Sequence, residues 1–147
     1  MIVKIAQITD IHIGPLNERY LGIDLRENFL RTLDDVVKNK PDYIILSGDL
    51  AYDMGEKESY VWVKSEMEKI DIPYRIMAGN HDSVSNMARV FDVKSKIKNG
   101  MLYYQDNLGG HPFLFLDSEP DLVAKEQLDW LLECDEKLDK QALLFIH

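Results

Sequence analysis

Residues 74–82 read YRIMAGNHD. The first five form a short, largely apolar run of the kind that makes a strand buried on both faces. The last four place an amide, an imidazole and a carboxylate directly behind a glycine. Gly79 and Asn80 tolerate left-handed backbone and would serve in a turn, but a turn has no need of His81 and Asp82. Strands whose carboxyl ends carry such groups are a feature of open α/β sheets, where ligands bind outside those ends.

Working outward, similar strand-like runs occur at 2–8 (IVKIAQI), 43–47 (YIILS), 102–104 (LYY), 113–116 (FLFL) and 142–146 (ALLFI). Helical patterns lie between them. In 24–38, Leu25, Phe29, Leu33, Val36 and Val37 share one face, and Asp24 followed by Glu27 reads as a capping box. Segments 56–70 and 125–138 are also amphipathic, and 84–91 is a shorter helix. This alternation predicts an α/β fold, helices packed on a mixed, mostly parallel sheet. The runs at 102–104 and 113–116, joined by a loop containing NLGG, are the candidates for a hairpin.

Four of the apolar runs deliver metal-capable side chains at their ends: Asp10 and His12, Asp49, Asn80 with His81 and Asp82, and His147. Three of the four histidines therefore converge on one sheet edge. In extended chain residues i and i+2 point the same way, so Asp10 and His12 are expected to share an ion. Glycines before Asp49 and Asn80 let the backbone turn off each strand. Imidazole nitrogen mixed with carboxylate and amide oxygen suits Mn²⁺, Fe or Zn²⁺. The ligands are too many for one catalytic ion with open positions, which predicts two divalent ions bridged by a carboxylate. Such pairs, ~3.5–4 Å apart, clamp the attacking and leaving oxygens of a phosphoryl displacement.

Composition agrees. The 147 residues are 46% hydrophobic and 29% charged, as in an ordinary soluble domain. Acidic residues outnumber basic ones 26 to 17, for a net charge of −9. That balance argues against non-specific nucleic-acid or anionic-membrane binding, and favours a small phosphorylated substrate over a long polymer. No apolar stretch approaches the ~20 residues of a membrane span. The lone Cys134 and a start without a secretory signal point to the cytoplasm.

The order DIH (10–12 being Asp10, Ile11, His12), GD (Gly48, Asp49), GNHD (79–82) and a strand-terminal His147 resembles the calcineurin-like metallophosphoesterase superfamily. PDYIILSGDLAYDMG, IPYRIMAGNHD and FLFLDSE followed by QLDWL resemble its cyclic-nucleotide phosphodiesterase-like branch. The resemblance covers the whole chain as one domain, 1–147, and implies a layered sandwich of two sheets flanked by helices. It also implies that Asp10 and His12 hold one metal, Asp49 bridges, and Asn80 and His147 hold the second. His81 would be general acid or transition-state stabiliser, and Asp82 would hydrogen-bond its ring and keep it protonated. The nucleophile would be a metal-bridging hydroxide, and the reaction hydrolysis of phosphodiesters or phosphomonoesters of small molecules, cyclic nucleotides included.

The superfamily pattern continues to a Gly-His-x-His motif, with one further imidazole for each metal, and this sequence holds none. The expectation is a C-terminally shortened form with an incomplete second sheet. Its open apolar face would favour a homodimer, and the alternative function is that of an inactive binding module. His111 in GGHPF reads as a bystander and Asp117 as structural; Arg19 and Tyr20, in the loop after the first motif, could contact a substrate base or phosphate, with a solvated loop as the plainer reading. There is no P-loop, dinucleotide fingerprint or nucleophile elbow.

Overall fold

The computed structural model describes residues 2–118, 122–138 and 141–147. Three strands, β1 (Ile5–Ile8), β2 (Tyr43–Ser47) and β3 (Tyr74–Met77), form a parallel sheet in the order β1-β2-β3. Ile8 pairs with Leu46 and Ser47 with Met77, so all three strands end at the same edge. Ile44, Ile45 and Leu46 are fully buried, as expected for a middle strand covered on both faces.

Helices α1 (Leu25–Lys38), α2 (Lys57–Met67) and α3 (Val84–Val90) alternate with or follow these strands. Asp24 caps α1 by accepting from the Glu27 N–H at 3.0 Å. Only that half of the expected capping box forms, because the Glu27 carboxylate pairs with Arg31 one turn on. Phe29 and Leu33 carry the buried stripe, and Ser83 caps α3.

A short ribbon, β4 (Ile97–Lys98) with β5 (Met101–Leu102), precedes a second three-stranded sheet. Here β6 (Tyr104–Leu108) and β7 (His111–Phe115) are antiparallel, and β8 (Leu143–Phe145) lies parallel to β7, with α4 (Lys125–Lys137) between them in sequence. The hairpin is therefore real, but β6 runs through 105–107 (QDN), which reads as loop. One side of β6 faces solvent, so its residues alternate instead of running apolar. Gly109 and Gly110 supply the two positive φ values, +59° and +87°, of the tight connection.

Aromatic rings pack along the second sheet: Tyr104 stacks on Phe115 at 4.7 Å, and Phe145 stacks on Phe113 and Phe115. Polar contacts join it to the first sheet. The Tyr104 hydroxyl donates to the Ile76 carbonyl at 2.7 Å, and Arg75 of β3 pairs with Asp106 of β6. Leu143 and Leu144 of β8 and the following Ile146 are about half exposed. Among the described residues no helix is long and apolar enough to cross a membrane.

Candidate metal centre

Asp10 and His12 lie beyond the end of β1, in a segment that runs beside residues 48–51. The Asp10, His12 and Ile13 N–H groups donate to the carbonyls of Gly48, Asp49 and Leu50 at 3.2, 3.0 and 2.9 Å. The two side chains do not converge by strand alternation, as expected from i, i+2 spacing. Both residues are in left-handed backbone, φ 56° and 44°, and so is Asp49 at 52°. Non-glycine residues held in this region cost of order 1 kcal/mol or more each and cluster at functional sites.

Asp49 is the centre of the arrangement and is almost wholly buried. Its Oδ1 accepts the His81 backbone N–H at 2.9 Å. Its Oδ2 lies 3.7 Å from His12 Nε2 and 3.2 Å from His147 Nε2. His12 Nε2 is also 3.8 Å from Asp10 Oδ1. One ligand atom each of Asp10, His12 and Asp49 falls within a common 4.8 Å, and His147 Nε2 approaches the same oxygen of Asp49 as His12 does.

The tautomer of His147 sharpens the point. Its Nδ1 is 3.0 Å from the Ser47 carbonyl, which can only accept, so Nδ1 carries the hydrogen. Nε2 is then left facing a buried carboxylate. A lone pair against an anion requires a cation between or beside them, a proton or a metal ion. A second imidazole nitrogen bonded to a backbone carbonyl is also how metal-ligating histidines are oriented. The donor set, two imidazole nitrogens with carboxylate oxygens, fits a borderline first-row divalent ion.

Two glycines make the approach possible. A Cβ on Gly48 would lie 2.7 Å from His147 Cγ and Nδ1. One on Gly79 would lie 2.8 Å from His147 Cδ2, and closer still to the Asp49 carboxylate. Gly48 also turns, at φ +96°, whereas Gly79 serves close approach alone.

Asn80 is exposed and faces, with His147 and Ser118, an open cavity of about 540 Å³. His81 stands edge-on to His12 with ring centroids 5.2 Å apart. Its Nδ1 is 3.3 Å from the Asp53 carbonyl, which leaves Nε2 available.

The expected hydrogen bond from Asp82 to the His81 ring is not formed. Asp82 is buried and turns back into the chain. It accepts from the N–H groups of Leu50 (3.0 Å), Ala51 (3.1 Å) and Gly79 (3.0 Å), and from the Tyr60 hydroxyl (2.9 Å). Tyr60 in turn accepts from the Ser83 N–H at 2.8 Å. Burial pushes the Asp82 carboxyl up, against the pull of these four donors. Asp82 thus ties the loop after β2 to the loop after β3, on the backbone that carries Asp49 and Asn80. Tyr60 completes the tie. It sits inside the amphipathic run 56–70, where its spacing reads as core, and nothing in the sequence singles it out.

Asp117 is structural: its carboxylate accepts the Leu102 N–H, and its backbone pairs with the Gln127 side chain. His111 is exposed at the start of β7.

Fold and site define a class. Residues 3–147 match the family model of the calcineurin-like phosphoesterases, and the chain belongs to that family. Most of the similar proteins are cyclic nucleotide phosphodiesterases. A probable cyclic nucleotide phosphodiesterase of Fibrobacter succinogenes is 38% identical over 146 residues, 99% of this chain and 57% of that protein. A 3′,5′-cyclic-nucleotide phosphodiesterase of Nostoc is 30% identical, over 88% of this chain and 50% of that protein. A probable glycerophosphodiester phosphodiesterase of Arcobacter nitrofigilis is 26% identical, over 97% and 56%. The chain therefore spans about half the length of the curated relatives it matches. In fold it is similar to a purple acid phosphatase from yellow lupin seeds, with TM-score 0.60 and 16% identity, covering 97% of this chain and 29% of that one.

Proposed function

We propose that this chain carries the metal-binding half of a dinuclear phosphodiesterase that hydrolyses small phosphorylated molecules, cyclic nucleotides among them. The observation that carries this reading is Asp49 Oδ2, set 3.7 Å from one imidazole nitrogen and 3.2 Å from another. Asp10 and His12 would hold one ion, Asn80 and His147 the other, and Asp49 would serve both. Divalent ions bound there supply Lewis-acid polarisation of a phosphoryl group.

The protein's own groups complete the chemistry. His81, with Nδ1 directed at a carbonyl, offers Nε2, which in the imidazolium form would give its proton to the departing ester oxygen and leave the neutral ring. Asn80 and His147 border the cavity in which a phosphoryl substituent can lie. Asp82 takes no part in proton transfer; it holds the backbone on which Asp49, Asn80 and His81 are mounted. The half-exposed apolar side chains of Leu143, Leu144 and Ile146 support self-association through β8 as a further part of the reading.

The test is Mn²⁺-dependent hydrolysis of bis-p-nitrophenyl phosphate. Activity should require the metal and should fall by about 10²–10⁴ in His81→Ala, the range for loss of a general acid. Metal-dependent turnover that His81→Ala leaves intact would remove the assigned acid. Folded protein that takes up no Mn²⁺ would remove the metal centre itself.

A further inference from the structure

The side of the centre next to His12 and His81 is walled by aromatic rings. Tyr52 stands edge-on to His12 at 6.4 Å, and Tyr20 leans on Tyr52 at 5.1 Å with 56° between the planes. With Leu25 and Asp53 these four rings line an open cavity of about 360 Å³. That is within the range of small-molecule sites.

The backbone fixes both tyrosines. Tyr20 and Ile23 exchange N–H···O bonds of 3.0 and 2.8 Å across a tight turn whose central residues, Leu21 and Gly22, have φ of 49° and 83°. Tyr52 follows Ala51, whose N–H is held by Asp82 and which bridges to Ile13. Neither tyrosine is part of the buried core, and Tyr20 is 49% exposed. Two rings are thus kept in place and open to solvent beside the imidazoles of His12 and His81.

A separate cavity around His147 is lined by Leu122, Val123 and Ile146 with Asn80 and Ser118, and among the described residues it contains no aromatic ring besides the imidazole. The two cavities therefore offer different surfaces to the two substituents of a phosphodiester. A flat π-system gains from offset or edge-to-face contact with tyrosine, and a nucleobase stacks on such rings whatever its sequence identity.

Resting on the phosphodiesterase reading above, we infer that the Tyr20–Tyr52 wall is a subsite for a planar aromatic group of the substrate, a nucleobase, and that these two tyrosines set substrate preference. The phosphoryl group would then lie toward Asp49, with the base on the His12 side.

Binding can be measured without turnover. Adenosine and, separately, ribose 5-phosphate are titrated into the metal-free full chain and followed by NMR. Saturable adenosine binding is expected, with Kd raised about fivefold or more in Tyr52→Leu and in Tyr20→Leu, the loss typical of removing one stacking ring. Tyr52→Phe should retain wild-type affinity, and ribose 5-phosphate should be indifferent to all three substitutions. Competition by p-nitrophenol would widen the subsite to aryl groups at large; its failure to compete would restrict it to the base. Adenosine that does not bind, or binds both folded leucine variants as well as wild type, overturns the inference. Intact adenosine binding in a protein without metal-dependent hydrolysis would instead count against the phosphodiesterase reading alone.

Discussion

Replacing Asp82 by asparagine separates a structural tie from a catalytic partner. In the structure the carboxylate accepts three backbone N–H groups and one hydroxyl, all buried. Asparagine keeps one carbonyl oxygen and turns an NH₂ group toward donors. Oδ1 faces Leu50, Ala51 and Tyr60, while Oδ2 faces Gly79 and Leu50. Whichever way the amide is seated, at least one buried N–H loses its acceptor and the others lose a charged one. A buried donor left unsatisfied costs about 1–3 kcal/mol. Contributions within one network are not additive, so the expected destabilisation is roughly 2–4 kcal/mol in total. At about 3 °C per kcal/mol for a chain of this size, Tm should fall by ~6–12 °C. Because the same contacts mount Asp49 and Asn80, Mn²⁺ affinity should fall about 10–100-fold, as for other groups that orient metal ligands. Thermal and urea unfolding followed by circular dichroism, with Mn²⁺ titration by calorimetry, measures both effects. Tyr60→Phe removes one hydroxyl from the network and strands the Ser83 N–H; it should cost about 1–2 kcal/mol in the same assay. If Asp82 acts on the His81 ring instead, Asp82→Asn should fold as stably as wild type, bind Mn²⁺ normally and lose activity alone. That result would refute the assignment.

Three further outcomes follow from other contacts. Gly79→Ala places a methyl against the Asp49 carboxylate and His147, and should lower Mn²⁺ affinity at least about tenfold; Gly14→Ala, whose nearest neighbour would be Tyr52 at 3.7 Å, should leave it unchanged. His147→Ala removes the imidazole 3.2 Å from Asp49 and should weaken Mn²⁺ binding, read by calorimetry, without abolishing the fold, since β8 keeps its pairing with β7. For Asp106, burial alone would raise the carboxyl, but the Arg75 guanidinium, the Asn107 N–H and Lys96 together hold it below the usual range. A depressed carboxylate contributes stability above its unfolded pKa of about 3.9 and loses it as the pH falls through the folded value. Asp106→Asn should therefore cost ~1 kcal/mol at neutral pH for this partly exposed pair, and the difference from wild type should vanish in acid, measured by urea unfolding at several pH values.

How far the site could be read without coordinates depends on which physical property each feature uses. Strand ends are visible in sequence, because a buried parallel strand must be apolar and must stop where polar residues begin. That reading predicts one shared edge; the structure sets Asp10, His12, Asp49, Asn80 and His81 beyond the carboxyl ends of the first sheet, whereas His147 comes to Asp49 from the end of β8, in the second sheet. The second sheet is less legible: β6 contains the polar run 105–107 because half of it meets solvent, and an alternating edge reads much like a loop. Side-chain direction is least legible of all. Asp10 and His12 meet through two left-handed residues, a conformation with no signature in non-glycine residues. A carboxylate that follows a histidine looks the same whether it turns toward the imidazole or away from it. What decides the matter for Asp82 is the backbone. Where β2 and β3 end, the N–H groups of Leu50, Ala51 and Gly79 leave the ladder inside the protein and must find an acceptor. Counting those donors, once the strand ends are placed, points to a buried carboxylate in the next loop, and Asp82 is the carboxylate that meets all three. The demand for hydrogen bonds at the strand ends thus claims Asp82, and the His81 ring turns to the Asp53 carbonyl instead.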